Sequence, residues 1–235
     1  MSRLVATLEC DIRLQYRNGF YWAVTAILVS FSVVILQLPP FDWARWLPLL
    51  IFSNLVTATF FFMAALVMLE KEEGTLAAQI VTPLSVSQYL LSKLLTLSVL
   101  SLIESLILIL VVHGPGFHLL PMALGITFLA AMYCLAGLLV AIRYDAVSEL
   151  IFPSVLWIIL LSLPLLQATD LVSHPLMYLH PFAAPLVLMA GAFEPLSLWQ
   201  WLYGIAYSIA PGLALFELSR RRFPGFVIRS QGAQA

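Results

Sequence analysis

Five stretches of this chain run for 18 to 24 residues without an Asp, Glu, Lys, Arg or His: Phe20 to Leu38, Trp46 to Leu69, Leu119 to Ile142, Leu150 to Gln167 and Trp199 to Phe216. A sixth, Leu94 to Val112, is interrupted only by Glu104. About 20 apolar residues in helical form cross a hydrocarbon core. In lipid every backbone polar group must be satisfied within the structure, and the alternating pattern of a barrel is absent, so these runs are expected to be helices. Composition agrees. The chain is 62% hydrophobic and 10% charged, against about 25% charged in a soluble domain. The fold class expected is an all-α integral membrane protein: one transmembrane domain over residues 1–235, with spans at 20–38, 46–69, 91–112, 119–142, 150–167 and 199–218.

The polar remainder organises around those spans. In residues 1–18, Leu4, Val5, Leu8, Ile12 and Tyr16 recur at helical spacing opposite Arg3, Glu9, Arg13 and Arg17, which predicts an amphipathic helix lying in the interface. Residues 168–198 form a loop and a piece, Phe182 to Phe193, too short to span and cut by Pro181, Pro185 and Pro195; it reads as a re-entrant element. Residues 223–235 read as a tail, disordered from Gly225. Placing both termini in the cytosol puts ten of the eleven Lys and Arg residues there and leaves Arg45 outside, which is the positive-inside pattern of a multi-pass protein in a plasma (inner) membrane. The net charge of -1 gives no footprint for nucleic acid, and the basic residues are membrane flanks. Cys10 and Cys134 fall in different compartments, so no disulfide framework is expected.

Residues 70–90 are the exception to this economy. Glu70, Lys71, Glu72 and Glu73 are consecutive charges marking emergence into water. Gly74 can end the preceding helix in a left-handed conformation, Thr75 can cap a short new one, and Leu76 and Ile80 share its face. Pro83 stops it. Ser85 with Gln88 has capping-box spacing for the helix that becomes the third span. A capped helix held out from a bundle transmits displacement that a floppy loop absorbs; an ordered loop tiling the bilayer surface is the other reading.

The run EKEEGTLAAQIVTPLSVSQYLLSKLL resembles the cytosolic segment of ABC-2 type transporter permeases, and within them the short drug (fluoroquinolone-type) exporters. The resemblance implies that this segment is a coupling helix docking on a separate ATP-binding subunit. Glu70, Lys71, Glu72, Glu73, Gly74 and Thr75 would begin the contact, Leu76, Gln79 and Thr82 would carry it, and Pro83 would start the return to the membrane. It also implies a homo- or heterodimer of permeases. No G-x-x-x-x-G-K-[ST] occurs in the chain, so ATP and Mg are expected in the partner, with no cofactor bound directly and no catalytic residue here. Haem, lipid or polysaccharide exporter subunits and a non-transport scaffold stay open as alternatives.

Asn54, Thr57, Ala58 and Phe61 lie along one face of the second span. In the resembled family the second and fifth spans line the central cavity of a dimer, which would set Asn54 and Phe61 opposite Ser154, Trp157 and Leu161. The other reading makes the polar members interhelical hydrogen-bond partners. Glu104 is costly inside a span. It is expected either to be a neutral acid bonded to Ser101, Ser105 or a neighbouring helix, or to recognise a cationic substrate or proton-linked motion. His113, His118, His174 and His180 match no common metal-ligand spacing and read as turn residues. Asp145 is expected to cap the fifth span, and Trp43, Trp46, Trp199 and Trp201 to sit at the interfaces with lipid.

Overall fold

The computed structural model describes residues 3–39, 42–76, 85–172 and 174–232, which are helical throughout their regular elements and contain no strand. Helices α1 (Arg3–Arg17) and α2 (Phe20–Leu36) meet at 62°. The break falls where Gly19 takes φ 76°, a backbone state that side chains with a Cβ resist. Helix α3 (Trp43–Leu55) passes through a π-helical turn (Val56–Phe61) into α4 (Phe62–Glu72), together a continuous 30-residue rod. Helices α5 (Val86–Val112), α6 (Leu119–Ala141) and α7 (Val147–Leu161) follow. Short α8 (Pro164–Ala168), a 3-10 turn (Pro175–Leu179) and α9 (Ala183–Ala190) then lead to α10 (Leu198–Gly232).

Four of these are long and apolar enough to cross a membrane: the α3–α4 rod, α5, α6 and α10 from Leu198 to Val227; the bent α1–α2 pair gives a fifth when taken together. The expected six spans are therefore met in part. Helix α2 has 17 residues and α7 has 15, so at 1.5 Å per residue they reach about 26 and 22 Å, short of a core about 30 Å thick. The expected fifth span over 150–167 stops at Leu161. Pro164 brings no N–H to continue the ladder and instead opens α8.

Helix α6 is the hub, packed against the π turn, α4, α5, α9 and α10. Small residues make this possible. A Cβ on Gly137 would run into the carbonyl oxygen of Phe60, and one on Gly125 would come within 2.8 Å of the Pro185 carbonyl oxygen. Without those side chains the π turn and α9 lie backbone-close on opposite ends of α6, the contact that drives helix association in lipid. The short piece expected between the last two spans is α9, eight residues long with Leu186, Leu188 and Met189 buried.

The C-terminal expectation fails. Residues 223–232 continue α10 as helix, and Phe223, Phe226 and Val227 are buried. Phe223 stacks on Tyr89 with centroids 4.8 Å apart, and the Lys71 ammonium lies 5.6 Å over the Phe226 ring. Burial of three large apolar groups, each worth about 1.5–3 kcal/mol, outweighs the helix-breaking tendency of Pro224 and Gly225.

Candidate functional site

At the end of the bundle that carries most of its basic residues, α1, α4 and α5 meet around a buried ammonium. Lys93 on α5 is fully buried. Its Nζ lies 2.6 Å from Glu70 Oε1 on α4 and 3.0 Å from Asp11 Oδ1 on α1. The remaining acceptors are filled as well: the Tyr89 hydroxyl donates to Glu70 Oε2 at 2.5 Å, and the Ser92 hydroxyl to Asp11 Oδ2 at 2.5 Å. The ammonium also sits 4.7 Å over the Tyr89 ring. One turn further along, Gln15 Nε2 donates to Thr96 Oγ1 at 2.8 Å. Two carboxylates and one lysine out of water are tolerable only with such complete pairing.

This corrects the reading of Glu70 as the point of emergence into water: its carboxylate is turned inward and only 4% of the residue is exposed. Emergence comes two residues later, at exposed Glu72 and Glu73, with Glu73 Oε1 held 2.7 Å from Arg17 Nη2 at the end of α1. Lys71 Nζ pairs with Asp145 Oδ1 at 2.5 Å. The N-cap position of α7 is Ala146, one residue after Asp145, and at this start Glu149 Oε2 accepts from the Asp145 N–H at 3.4 Å. Gly74 has the left-handed φ of 70° expected of a helix stop. The Thr75 hydroxyl donates back to the Glu70 carbonyl at 3.0 Å and so closes the helix behind it. Leu76 is buried with Tyr89 and Leu90. The short helix expected next, with Gln79, Thr82 and Pro83, lies outside the described residues. On its far side the capping box is present: Gln88 N–H donates to Ser85 Oγ at 3.3 Å and Ser85 N–H to Gln88 Oε1 at 3.2 Å. Leu76 thus packs beside Tyr89 of the Lys93 cluster, and Ser85 opens the helix that carries both Tyr89 and Lys93.

Midway along the bundle, Asn54 Nδ2 donates to Glu104 Oε1 at 2.8 Å. Both residues are buried, and the hydroxyls of Ser101 and Ser105 flank Glu104 on its helix, themselves buried without a hydrogen-bond partner. Glu104 is therefore bonded to a neighbouring helix rather than to its own serines. A glutamine at position 104 keeps an acceptor oxygen, whereas a leucine at position 54 removes the donor. Glu104→Gln is expected to change stability by less than about 1 kcal/mol, and Asn54→Leu to cost about 1–3 kcal/mol through a stranded buried carboxyl, as read from thermal unfolding in detergent; the reverse order would refute the pairing.

The other path residues are placed less closely together. Phe61 closes the π turn half-buried, edge-on to Phe60 at 5.4 Å. Thr57 is in that turn. Ser154 is buried on α7, while Trp157 is 37% exposed and receives the Arg143 guanidinium 5.9 Å above its ring. Of the histidines, His174 and His180 accept at Nδ1 from the N–H of Leu176 and Phe182 and so cap the turns that follow them. Burial lowers the His180 pKa from its ordinary value. His113 packs edge-on to Phe193.

Sequence reasoning missed Asp11 and Gln15. The signal was present as the stripe Leu4, Leu8, Asp11, Gln15 at helical spacing, which is the face α1 turns to the bundle. Val5, Ile12 and Tyr16 point outward and are exposed.

A model of the fluoroquinolones export permease protein family matches residues 2–231. Among curated proteins, the fluoroquinolones export permease proteins of two Mycobacterium tuberculosis strains, CDC 1551 / Oshkosh and ATCC 25618 / H37Rv, are each 30% identical over 235 residues, covering 99% of both chains. The match thus takes in the bent N-terminal pair, the Lys93 cluster and the extended last helix alike, and the chain belongs to the fluoroquinolones export permease protein family.

Proposed function

We propose that this chain is the membrane subunit of an ATP-driven, ABC-2 type exporter that moves an amphipathic, drug-like molecule out of the cytoplasm of a prokaryote. Six passes with both termini cytosolic are the arrangement that agrees with ten of eleven basic residues on one side. Helices α2 and α7 would then cross as short spans, through local thinning of the bilayer. A second permease pairs with it, as a homo- or heterodimer, and a separate ATP-binding subunit, carrying the nucleotide and Mg, docks on residues 70–90. The observation that carries this reading is the full-length match to an export permease family.

The Lys93 cluster supports a mechanical role for the segment. Glu70 bonds both the Tyr89 hydroxyl and Lys93, and Lys93 bonds Asp11, so a displacement of α4 or α5 where they meet the segment reaches α1 as well. ATP can shift inward and outward exposure only by favouring one state over the other, and a rigid connection delivers that preference to the spans.

Co-purification tests the proposal. The wild-type chain, purified from membranes of its native host, is expected to bring an ATP-binding cassette ATPase down. A Glu73→Ala, Gly74→Pro variant should weaken the association and lower transport-linked ATP hydrolysis at least fivefold. Drug efflux by the wild-type chain with no ATPase bound would reject the ATP-driven mechanism.

A further inference from the structure

At the end of the bundle opposite the Lys93 cluster, α3, α8, the 3-10 turn and α9 enclose a cleft of about 460 Å³. That volume suits a drug-sized molecule. Its floor is apolar, from Leu186 and Val187 of α9, and its rim is charged, from Arg45, Asp170 and Glu194. Arg45 Nη2 and Asp170 Oδ2 are 2.5 Å apart with both side chains more than half exposed; such a pair contributes little stability and exchanges partners readily. Asp170 reaches Arg45 from a left-handed turn, φ 58°, a conformation that aspartate tolerates better than most residues. Among the described residues no ion pair engages the Glu194 carboxylate. Among the described residues Arg45 is the only Lys or Arg in this half of the helical bundle, the others lying toward the opposite helix ends.

The aromatic wall is held in place. The Tyr178 ring lies edge-on to Trp199 and Tyr203, at 6.0 and 5.8 Å. The hydroxyls of Tyr203 and Tyr207 donate to the Tyr178 and Leu179 carbonyls at 2.6 Å each, pinning the 3-10 turn to α10.

One guanidinium, two carboxylates, an apolar floor and a fixed ring form a set that fits a single ligand chemistry. We infer that this cleft binds zwitterionic aromatic small molecules. The ligand carboxylate takes Asp170's place on Arg45, its ammonium faces the freed Asp170 and Glu194, and its ring lies on Leu186 and Val187 beside Tyr178. A neutral or purely cationic amphipath satisfies the floor and leaves Arg45 with Asp170. The inference deepens the exporter reading, and only its role as an exit site rests on that reading; binding can be measured without it.

Norfloxacin, which carries a carboxylate and a secondary ammonium, and its ethyl ester, which lacks the carboxylate, are suitable probes. In equilibrium dialysis against the purified full chain in detergent, wild type is expected to bind norfloxacin at least tenfold tighter than the ester. Arg45→Gln, at an exposed position with no core contact to lose, is expected to weaken norfloxacin about tenfold and to move the ester less than twofold. Equal binding of acid and ester by wild type, or an equal effect of Arg45→Gln on both, overturns the site. The expected binding pattern without norfloxacin efflux from cells holding the chain and its ATPase removes the exporter reading and leaves the site standing. Efflux of acid and ester alike, with no Arg45 dependence of binding, does the opposite.

Discussion

Lys93→Met is expected to cost at least 3–5 kcal/mol of stability, the range for stripping one partner from a buried ion pair, and to do so because it leaves Glu70 and Asp11 facing each other without a cation. Both carboxylates are buried, so they have no water to turn to. Glu70→Gln removes charge from the same cluster with a different result. Lys93 keeps Asp11 at 3.0 Å, the Tyr89 hydroxyl keeps an amide oxygen to donate to, and the cluster becomes a neutral pair. Its cost is expected to be at most half that of Lys93→Met. A triple change, Asp11→Asn, Glu70→Gln, Lys93→Met, removes all three charges and is expected to recover most of the loss, since neutral replacement of a buried ionic group is often tolerated. Chemical unfolding of the purified chain in mixed micelles gives all three values. A Lys93→Met protein as stable as Glu70→Gln would show that the ammonium is not what holds α1 to α4 and α5.

That cluster also marks where sequence reading stops. Four of the six expected spans were legible because a run of apolar residues has one physical outlet in a long chain, and Gly74, Ser85 and Gln88 were legible because their roles are local: a left-handed stop and a reciprocal cap depend on three or four neighbours. Glu70 was misread because consecutive charges normally mean water, and only the third dimension supplies Lys93, 23 residues away, to bring one of them inside. Asp11 was hidden for the same reason, on a helix whose exposed apolar stripe, Val5, Ile12 and Tyr16, dominates its pattern. The tail from Gly225 was misjudged because Pro and Gly argue against helix in isolation, whereas Phe223 and Phe226 gain Tyr89 and Lys71 as neighbours from elements more than 130 residues earlier. The cleft at the end opposite Lys93 draws Arg45 from α3 and Asp170 and Glu194 from two separate connections, and no spacing rule links them.

Gly137→Val is expected to be the most damaging single change outside the charged cluster. Its Cβ would collide with the Phe60 carbonyl oxygen and stand 3.0 Å from the Phe60 carbonyl carbon and Cα. These are backbone atoms, so no rotamer change relieves the contact, and either α6 or the π turn must move. Overpacking commonly costs about 1–3 kcal/mol when side chains can adjust; here the upper part of that range or more is expected, with Gly137→Ala giving a smaller loss of the same sign. Gly212→Ala is the control, since a Cβ there meets nothing and replacing glycine inside a helix gains about 0.5–1 kcal/mol. The effect on transport should exceed the effect on stability. π turns occur within helices at functional positions more often than chance places them, and this one sits between Asn54, which bonds Glu104, and Glu70, which bonds Lys93. Shifting it changes the register between the two polar sites on one rod. Unfolding midpoints in detergent and drug efflux from cells, measured on all three variants, separate the two effects: Gly137→Ala with normal folding and lost efflux would place the π turn in the transport cycle, and normal efflux at normal stability would show that α6 has room to yield.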